Sequence, residues 1–267
     1  MIGWGADFSY SYLRKLLEVI RSDFEPQLLG DAGQLGRVAD NRWAFVRHDV
    51  DVDLSKAVRM AEIESEHGVR AAYMIMNASL MYSLRDLSVQ KALRQIQSLG
   101  HEVGLHFDCP GELRHEEKGD LSQLESDIES ACRELEECVG SPVRSLSFHR
   151  PIPWLLRGPL LIGSRVNAYA AELMAWYLSD SKGCWREGEP IPKLRQPPGH
   201  ILQLLTHPIW WGDRHLPPAE RLDEFVRERT AGLSGSQAAE FDQALASTLP
   251  GVQRQPYRVD HGNALNA

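Results

Sequence analysis

Residues 43–53 read WAFVRHDVDVD, from Trp43 to Asp53. Trp43, Ala44, Phe45 and Val46 form an apolar run with the length and composition of a buried strand. The run leads into carboxylates at alternating positions, Asp49, Asp51 and Asp53. In an extended chain residues two apart point to the same face, so Asp49 and Asp51 can converge on one point. Two buried carboxylates side by side repel, and burial adds a desolvation cost that a cation between them removes. An isolated D-x-D is read more simply as a strand end with solvated aspartates. The rest of the chain decides between the two.

Outward from this stretch, strand and helix signals alternate. An amphipathic helix is expected over Asp7 to Asp23, with Leu13, Leu16, Leu17 and Ile20 on one stripe, followed by a Gly- and Asp-rich loop from Gln27 to Asn41. A helix from Leu54 to His67, closed by Gly68, precedes a buried strand over Ala71 to Met76. A helix over Asp86 to Leu99 and a strand over Glu102 to Phe107 come next. They are followed by a long Glu-rich helix over Leu121 to Val139 and a strand over Val143 to Phe148. Arg165 to Leu178 mixes the two signals. Ile201 to Thr206 reads as a late buried strand and Pro217 to Leu249 as two helices. This alternation predicts an α/β fold, a parallel sheet with helices outside, open or closed into a barrel. The 267 residues, 43% hydrophobic and without a repeat or linker, suit one large domain.

In such folds the chemistry collects at the carboxyl ends of the strands, and the unusual polar residues fall there. His48, Asp49 and Asp51 end the first strand, His106 and Asp108 the strand in GHEVGLHFD, and His149 and Arg150 the strand in SLSFHRP. YLSDSKGCW supplies Asp180 and Trp185, and LLTHPIWW supplies His207, Trp210 and Trp211. Each histidine alone is read more simply as a hydrogen-bonded core or loop residue. Histidines at successive strand ends, together with aspartates, are the ligand types of a borderline divalent cation such as zinc, with a position left open for water or substrate. A water on such a cation loses its proton more easily, a nearby carboxylate can accept that proton, and a histidine opposite can protonate a leaving group. Asp180 either orients that histidine or caps a turn in SDSKG. The tryptophans are either core or a sugar-facing wall beside His207. Lys and Arg elsewhere read as solvated surface.

A net charge of −8 argues against nucleic acid or an anionic membrane as the main partner. No basic segment precedes an apolar one at the N-terminus and no run of 18 apolar residues occurs, so neither a signal peptide nor a membrane span is expected, and the protein is expected to be cytoplasmic. Cys109, Cys132, Cys138 and Cys184 show no C-x-x-C spacing and read as free thiols.

The ordered set RHDVD, GHEVGLHFD, SFHRP, SDSKGCW and LTHPIWW, from about Trp43 to Trp211, resembles the NodB-type polysaccharide deacetylases of carbohydrate esterase family four. It is most similar to the branch found among surface-polysaccharide and O-antigen biosynthesis proteins. The resemblance implies a single distorted (β/α) barrel domain. Its N-terminal helix and loop would occupy residues 1–42, its catalytic core 43–211 and its C-terminal helices 212–267. It implies removal of an acetyl group from an N-acetylated sugar with a zinc-like divalent metal. Asp49 would be the base, Asp51 and His106 metal ligands, Arg150 the partner of the base and His207 the acid. Asp180 and Trp185 would stand behind His207. The family's first motif has adjacent aspartates, whereas Val50 separates them here, which leaves an exchange of roles between Asp49 and Asp51 open. Its second metal histidine follows the first by four residues, where this chain has Pro110. His149, at the end of the next strand, is the replacement chosen, and Asp108 is the alternative. The expected substrate is a nucleotide-linked or lipid-linked sugar precursor, with Trp185, Trp210, Trp211 and Asp108 placed against it. A metal-dependent hydrolase of another amide or ester, and a non-catalytic carbohydrate-binding scaffold, are the competing readings. The sequence leaves the oligomeric state open.

Overall fold

The first strand carries two different faces, and the fold follows from keeping them apart. In β2 (Trp43–Val50) every residue is buried. Trp43, Phe45, Arg47 and Asp49 point one way, and Ala44, Val46, His48 and Val50 the other. The computed structural model describes residues 7–34, 41–109, 122–151 and 153–254. Around β2 it places α1 (Tyr10–Asp23), β1 (Glu25–Gln27), α2 (Leu54–Glu66), β3 (Ala72–Met76), α3 (Leu87–Ser98), β4 (Glu102–Asp108), α4 (Ser122–Val139) and β5 (Ser145–His149). Then come β6 (Leu161–Ile162), β7 (Arg165–Asn167), β8 (Tyr177–Ser179), α5 (Pro190–Leu194), β9 (Ile201–Thr206), α6 (Pro218–Thr230) and α7 (Gly235–Thr248).

The strands form one sheet in the order β6-β7-β5-β4-β3-β2-β9-β8, with β1 added along the first half of β2. All pairings are parallel except β6 with β7. The sheet curls. Arg47 Nη2 in β2 reaches the hydroxyl of Tyr169, just past β7, at 3.0 Å, although β3, β4 and β5 lie between those strands in the sheet. The edge strands β6 and β8 do not pair, so the result is an incomplete, distorted (β/α) barrel in a single domain. Two apolar clusters mark its layers. One, with Trp43, Phe45, Ala72, Met74 and Val166, fills the concave side. The other joins the convex side to the helices through Ala57, Met60, Leu93, Ile96, Cys132 and Leu135. The ambiguous stretch Arg165–Leu178 holds β7 and the first two residues of β8, strands of three residues each and too short for a periodicity to show. Leu121 lies outside the described residues, and α1 starts at Tyr10 because the Ser9 hydroxyl caps it by accepting from Tyr12 N. Cys132, Cys138 and Cys184 are free thiols. No helix among the described residues is long and apolar enough to cross a membrane.

The concave side is tight at Gly104 in β4. A Cβ there would lie 2.7 Å from both Met74 Sδ and Ser145 Oγ. Gly104→Ala is therefore expected to cost ~1–3 kcal/mol, read from urea unfolding, and an unchanged midpoint would show slack that the packing does not have.

The convex side buries a charge. Glu64 of α2 faces inward, its Oε1 2.6 Å from His48 Nε2, and its Oε2 accepts from the Tyr73 hydroxyl at 2.7 Å. His48 Nδ1 lies 2.6 Å from Thr206 Oγ1, so this network ties α2 to β2, β3 and β9. His48, at a strand end in the sequence, thus faces the helices. Burial alone would raise the Glu64 carboxyl, but His48, with His101 and Tyr73, outweighs it and holds it below its ordinary 4.5. A depressed carboxyl contributes stability that is present above its unfolded value and lost as pH falls through the folded one. Glu64→Gln should therefore destabilise the protein at pH 7 and flatten the loss of stability in acid. A parallel shift of the unfolding midpoint at every pH would contradict this.

Candidate active site

The concave faces of the strands deliver alternate residues to one place: Arg47 and Asp49 from β2, His106 from β4, Ser147 and His149 from β5 and Gln203 from β9. Asp51 follows β2 by one residue. Asp53 turns away and caps α2, accepting from Ser55 N at 2.9 Å. His207 follows β9. Beyond the strand ends lies a cavity of about 350 Å³ whose lining includes Asp49, Asp51, His106, His149 and His207.

Asp49 is held by an arginine that the sequence reading passed over. Arg47 Nε donates to Asp49 Oδ1 at 2.9 Å and Nη2 to Oδ2 at 2.8 Å, with the arginine fully buried. Two further donors go to Gln203 Oε1 at 2.9 Å and the Tyr169 hydroxyl at 3.0 Å, and the guanidinium lies 4.7 Å from the Tyr169 ring centroid. Burial would raise the Asp49 carboxyl, yet Arg47, with a smaller contribution from His106, outweighs it and holds the group well below the usual carboxylate range. The expectation that Arg150 pairs with Asp49 is corrected. Arg150 has a left-handed backbone, φ 50°, and donates to Asp108 at 3.0 Å. The expectation that Lys and Arg without an assigned role are solvated is corrected with it, because Arg47, the first residue of RHDVD, shares the strand face of Asp49 and is fully buried.

Beside Asp49, past the end of the paired strand β9, stands a second assembly. Asp180 is fully buried, and its Oδ1 lies 2.6 Å from His207 Nδ1. Its Oδ2 accepts from His207 N at 3.0 Å and from Trp211 Nε1 at 3.1 Å. With Nδ1 engaged, Nε2 is the His207 nitrogen left for the cavity. Burial disfavours the charged ring, but Asp180, with Asp51 and Asp49, outweighs it and pushes His207 up to about 9. The indole behind the pair belongs to Trp211; Trp185 stacks on Phe8 with centroids 6.1 Å apart. Trp210 lines the cavity, whereas Trp211 and Trp185 do not, because the first is drawn inward to Asp180 and the second to Phe8. Asp108 also lies outside the lining, taken up by Arg150.

Asp51 and His106 meet with Oδ1 and Nε2 3.1 Å apart. Asp51 Oδ1 is buried without a well-directed hydrogen bond. His106 Nδ1 is 2.6 Å from Ser147 Oγ, which orients the ring. Two donors on one tetrahedral zinc lie roughly 3.3 Å apart, so this pair has the spacing and chemistry of two ligands. His149 is not gathered to it. Its Nδ1, also buried without a hydrogen bond, lies 3.5 Å from Asp108 Oδ1, and its ring centroid is 5.4 Å from that of His106. Among the described residues no group of three or more His, Cys, Asp or Glu side chains is arranged to hold a metal ion. The expected set Asp51, His106, His149 is thus two assembled donors and one turned toward Asp108, and Asp108 itself faces His149 and Arg150. Arg47, Ser147, Tyr169 and Gln203 are the site residues the sequence reading missed.

No family model matches the chain, and no curated protein matches it. Solved structures do. A CE4 family pseudoenzyme from Bacillus anthracis is 14% identical over 72% of this chain and 62% of its own, with a TM-score of 0.41. A family 4 carbohydrate esterase from Streptomyces lividans in complex with acetate is 14% identical over 78% and 89%, TM-score 0.39. A peptidoglycan deacetylase from Bacillus subtilis is 14% identical over 79% and 96%, TM-score 0.39. The chain spans under two thirds of the pseudoenzyme's length. Likenesses of this size say nothing about catalysis.

Proposed function

We propose that this chain is a hydrolase that removes an acetyl group from an N-acetylated sugar on a nucleotide-linked or lipid-linked precursor, in the building of a surface polysaccharide such as O-antigen or capsule. One observation carries the reading: an arginine-locked carboxylate at the end of β2 and an aspartate-backed histidine past the end of the neighbouring β9 line one cavity, and the Asp51–His106 donor pair lines it with them. Asp49 stays ionised, and while Oδ1 accepts from Arg47 and from the Ser147 hydroxyl at 3.4 Å, Oδ2 keeps a lone pair beyond the one Arg47 uses and can take a proton from water. Attack of that water on the amide carbonyl gives a tetrahedral oxyanion. His207, protonated at neutral pH, gives its Nε2 proton to the departing nitrogen as the carbon–nitrogen bond breaks, leaving acetate and a free amine. Tyr169 and Gln203 hold Arg47, and Trp211 holds Asp180, so both proton carriers stand in fixed positions. A divalent metal, zinc by ligand type, would be held by Asp51 and His106 with His149 as the third ligand; when bound it supplies a Lewis acid for the carbonyl and a more acidic water.

The turned-away His149 favours a second reading, a carbohydrate-binding scaffold without turnover. Zinc titration separates them. The parent protein is expected to bind about one zinc ion per chain, with Asp51→Ala and His106→Ala each weakening it roughly 10- to 100-fold or more. Loss in His149→Ala as well would bring that ring into the set. No binding by the parent would sink the metal-dependent form and leave the scaffold.

A further inference from the structure

The cavity that holds Asp49 and His207 does not end at its own rim. Met174, Tyr177 and Glu187 line it and also line an adjoining cleft of 710 Å³. Unpaired cations border this combined opening: Lys182 and Arg186 on the cavity, Arg157 and Lys193 on the cleft, all exposed. Among the described residues none of these side chains has an ion pair or a hydrogen bond. The only exposed carboxylate in the described lining is Glu187, which accepts from Ser179 N. In a chain of net charge −8 such a collection runs against composition.

The backbone adds an independent observation. Among the described residues the non-glycine positions with left-handed φ are Arg150 at 50°, Arg157 at 59° and Lys182 at 61°. All three are basic, and all three line the cavity or the cleft. L side chains adopt this conformation rarely and keep it where the surrounding structure imposes it, a pattern that clusters at ligand sites. Arg150 is committed to Asp108. Arg157 and Lys182 line the opening without an ion pair or a hydrogen bond of their side chains.

We propose that this basic opening is a phosphate subsite, and that the acetylated sugar enters the cavity as the sugar of a diphosphate-linked donor whose phosphates lie against Arg157, Lys182, Arg186 and Lys193. This rests on reading the cavity as a sugar-deacetylating site and names the charge that its substrate carries. Arginine forks pair two donors with phosphate oxygens and lysines add point charges, while a neutral glycan would gain nothing from cations held in a strained backbone. A nucleoside diphosphate and an isoprenyl diphosphate share this chemistry.

The test is calorimetric binding in metal-free buffer of inorganic pyrophosphate, UDP-N-acetylglucosamine, farnesyl-diphosphate-linked N-acetylglucosamine and a panel of free N-acetylhexosamines. The variants are Arg157→Gly and Lys182→Gly, singly and together. Pyrophosphate and the diphosphate donors should bind the parent and weaken as salt rises from roughly 50 to 300 mM. The double variant should lose about tenfold or more in affinity for them, the loss expected when phosphate contacts are removed. It should keep its affinity for the free sugars. It should also melt at a higher temperature, because glycine relieves the left-handed backbone. A purely structural role would not give higher stability with weaker anion binding. Diphosphate donors binding the parent no better than free sugars, or unchanged affinity in the double variant, would overturn the proposal. Pyrophosphate binding without binding of any sugar would keep the phosphate subsite and sink the sugar reading. Whichever donor binds more tightly assigns the carrier.

Discussion

Replacing Arg47 with alanine is expected to lower the free energy of unfolding by ~3–5 kcal/mol. The reason is the partner left behind. Asp49 is buried beneath the cavity, and the guanidinium satisfies both of its oxygens at 2.9 and 2.8 Å. Without Arg47 the carboxylate keeps its desolvation cost and loses the cation that offsets it, and Gln203 and Tyr169 lose a shared donor. Asp49→Ala leaves an uncompensated arginine and should cost a similar amount. Removing both together as Arg47→Ala with Asp49→Ala should cost less than the sum of the single changes, since neither ion is then stranded. Urea unfolding of the four proteins completes the cycle. Single effects that add would show that the pair is not a unit. Lysine at position 47 keeps the charge but not the fork, so an intermediate loss is expected.

The second large effect falls on turnover. His207→Ala is expected to lower the rate of acetate release by about 10²–10⁴-fold while leaving the fold intact, because the His207 side chain is on the cavity wall and partly exposed. Asp180→Asn should act through His207. It removes the charge that holds the ring protonated and weakens the contact at 2.6 Å. Trp211→Phe deletes one donor to Asp180 and should have a smaller effect of the same kind. A His207 variant as active as the parent would move the proton donor elsewhere in the cavity.

Much of this arrangement was legible in residue order. The strand Trp43–Val50, the helices that follow it and the strand Ile201–Thr206 were read within a few residues, since their apolar patterns are long enough to carry a period. Asp49, Asp51, His106 and His207 stand together because strand ends of a parallel sheet gather at one side. The partners were harder. Arg47 is the less legible because arginine is mostly a surface residue, although its place two residues before Asp49 puts it on the same strand face. Tyr169 reaches Arg47 only because the sheet curls, and Gln203 because β9 pairs beside β2, neither of which a local pattern encodes. Trp211 and Trp185 are alike in sequence and differ in what surrounds them; only the three-dimensional packing says which indole meets Asp180. Arg150 failed as a partner for Asp49 for the same kind of reason, its backbone turning it toward Asp108.

The most direct measurement is acetate release from diphosphate-linked and free N-acetylhexosamines by zinc-loaded parent protein, beside Asp49→Asn and His207→Ala. Stoichiometric acetate and free amine from the parent, with both variants at least about a hundredfold slower, is the expected result. No acetate from any of these sugars, with zinc and sugar both bound, would contradict the proposed hydrolysis.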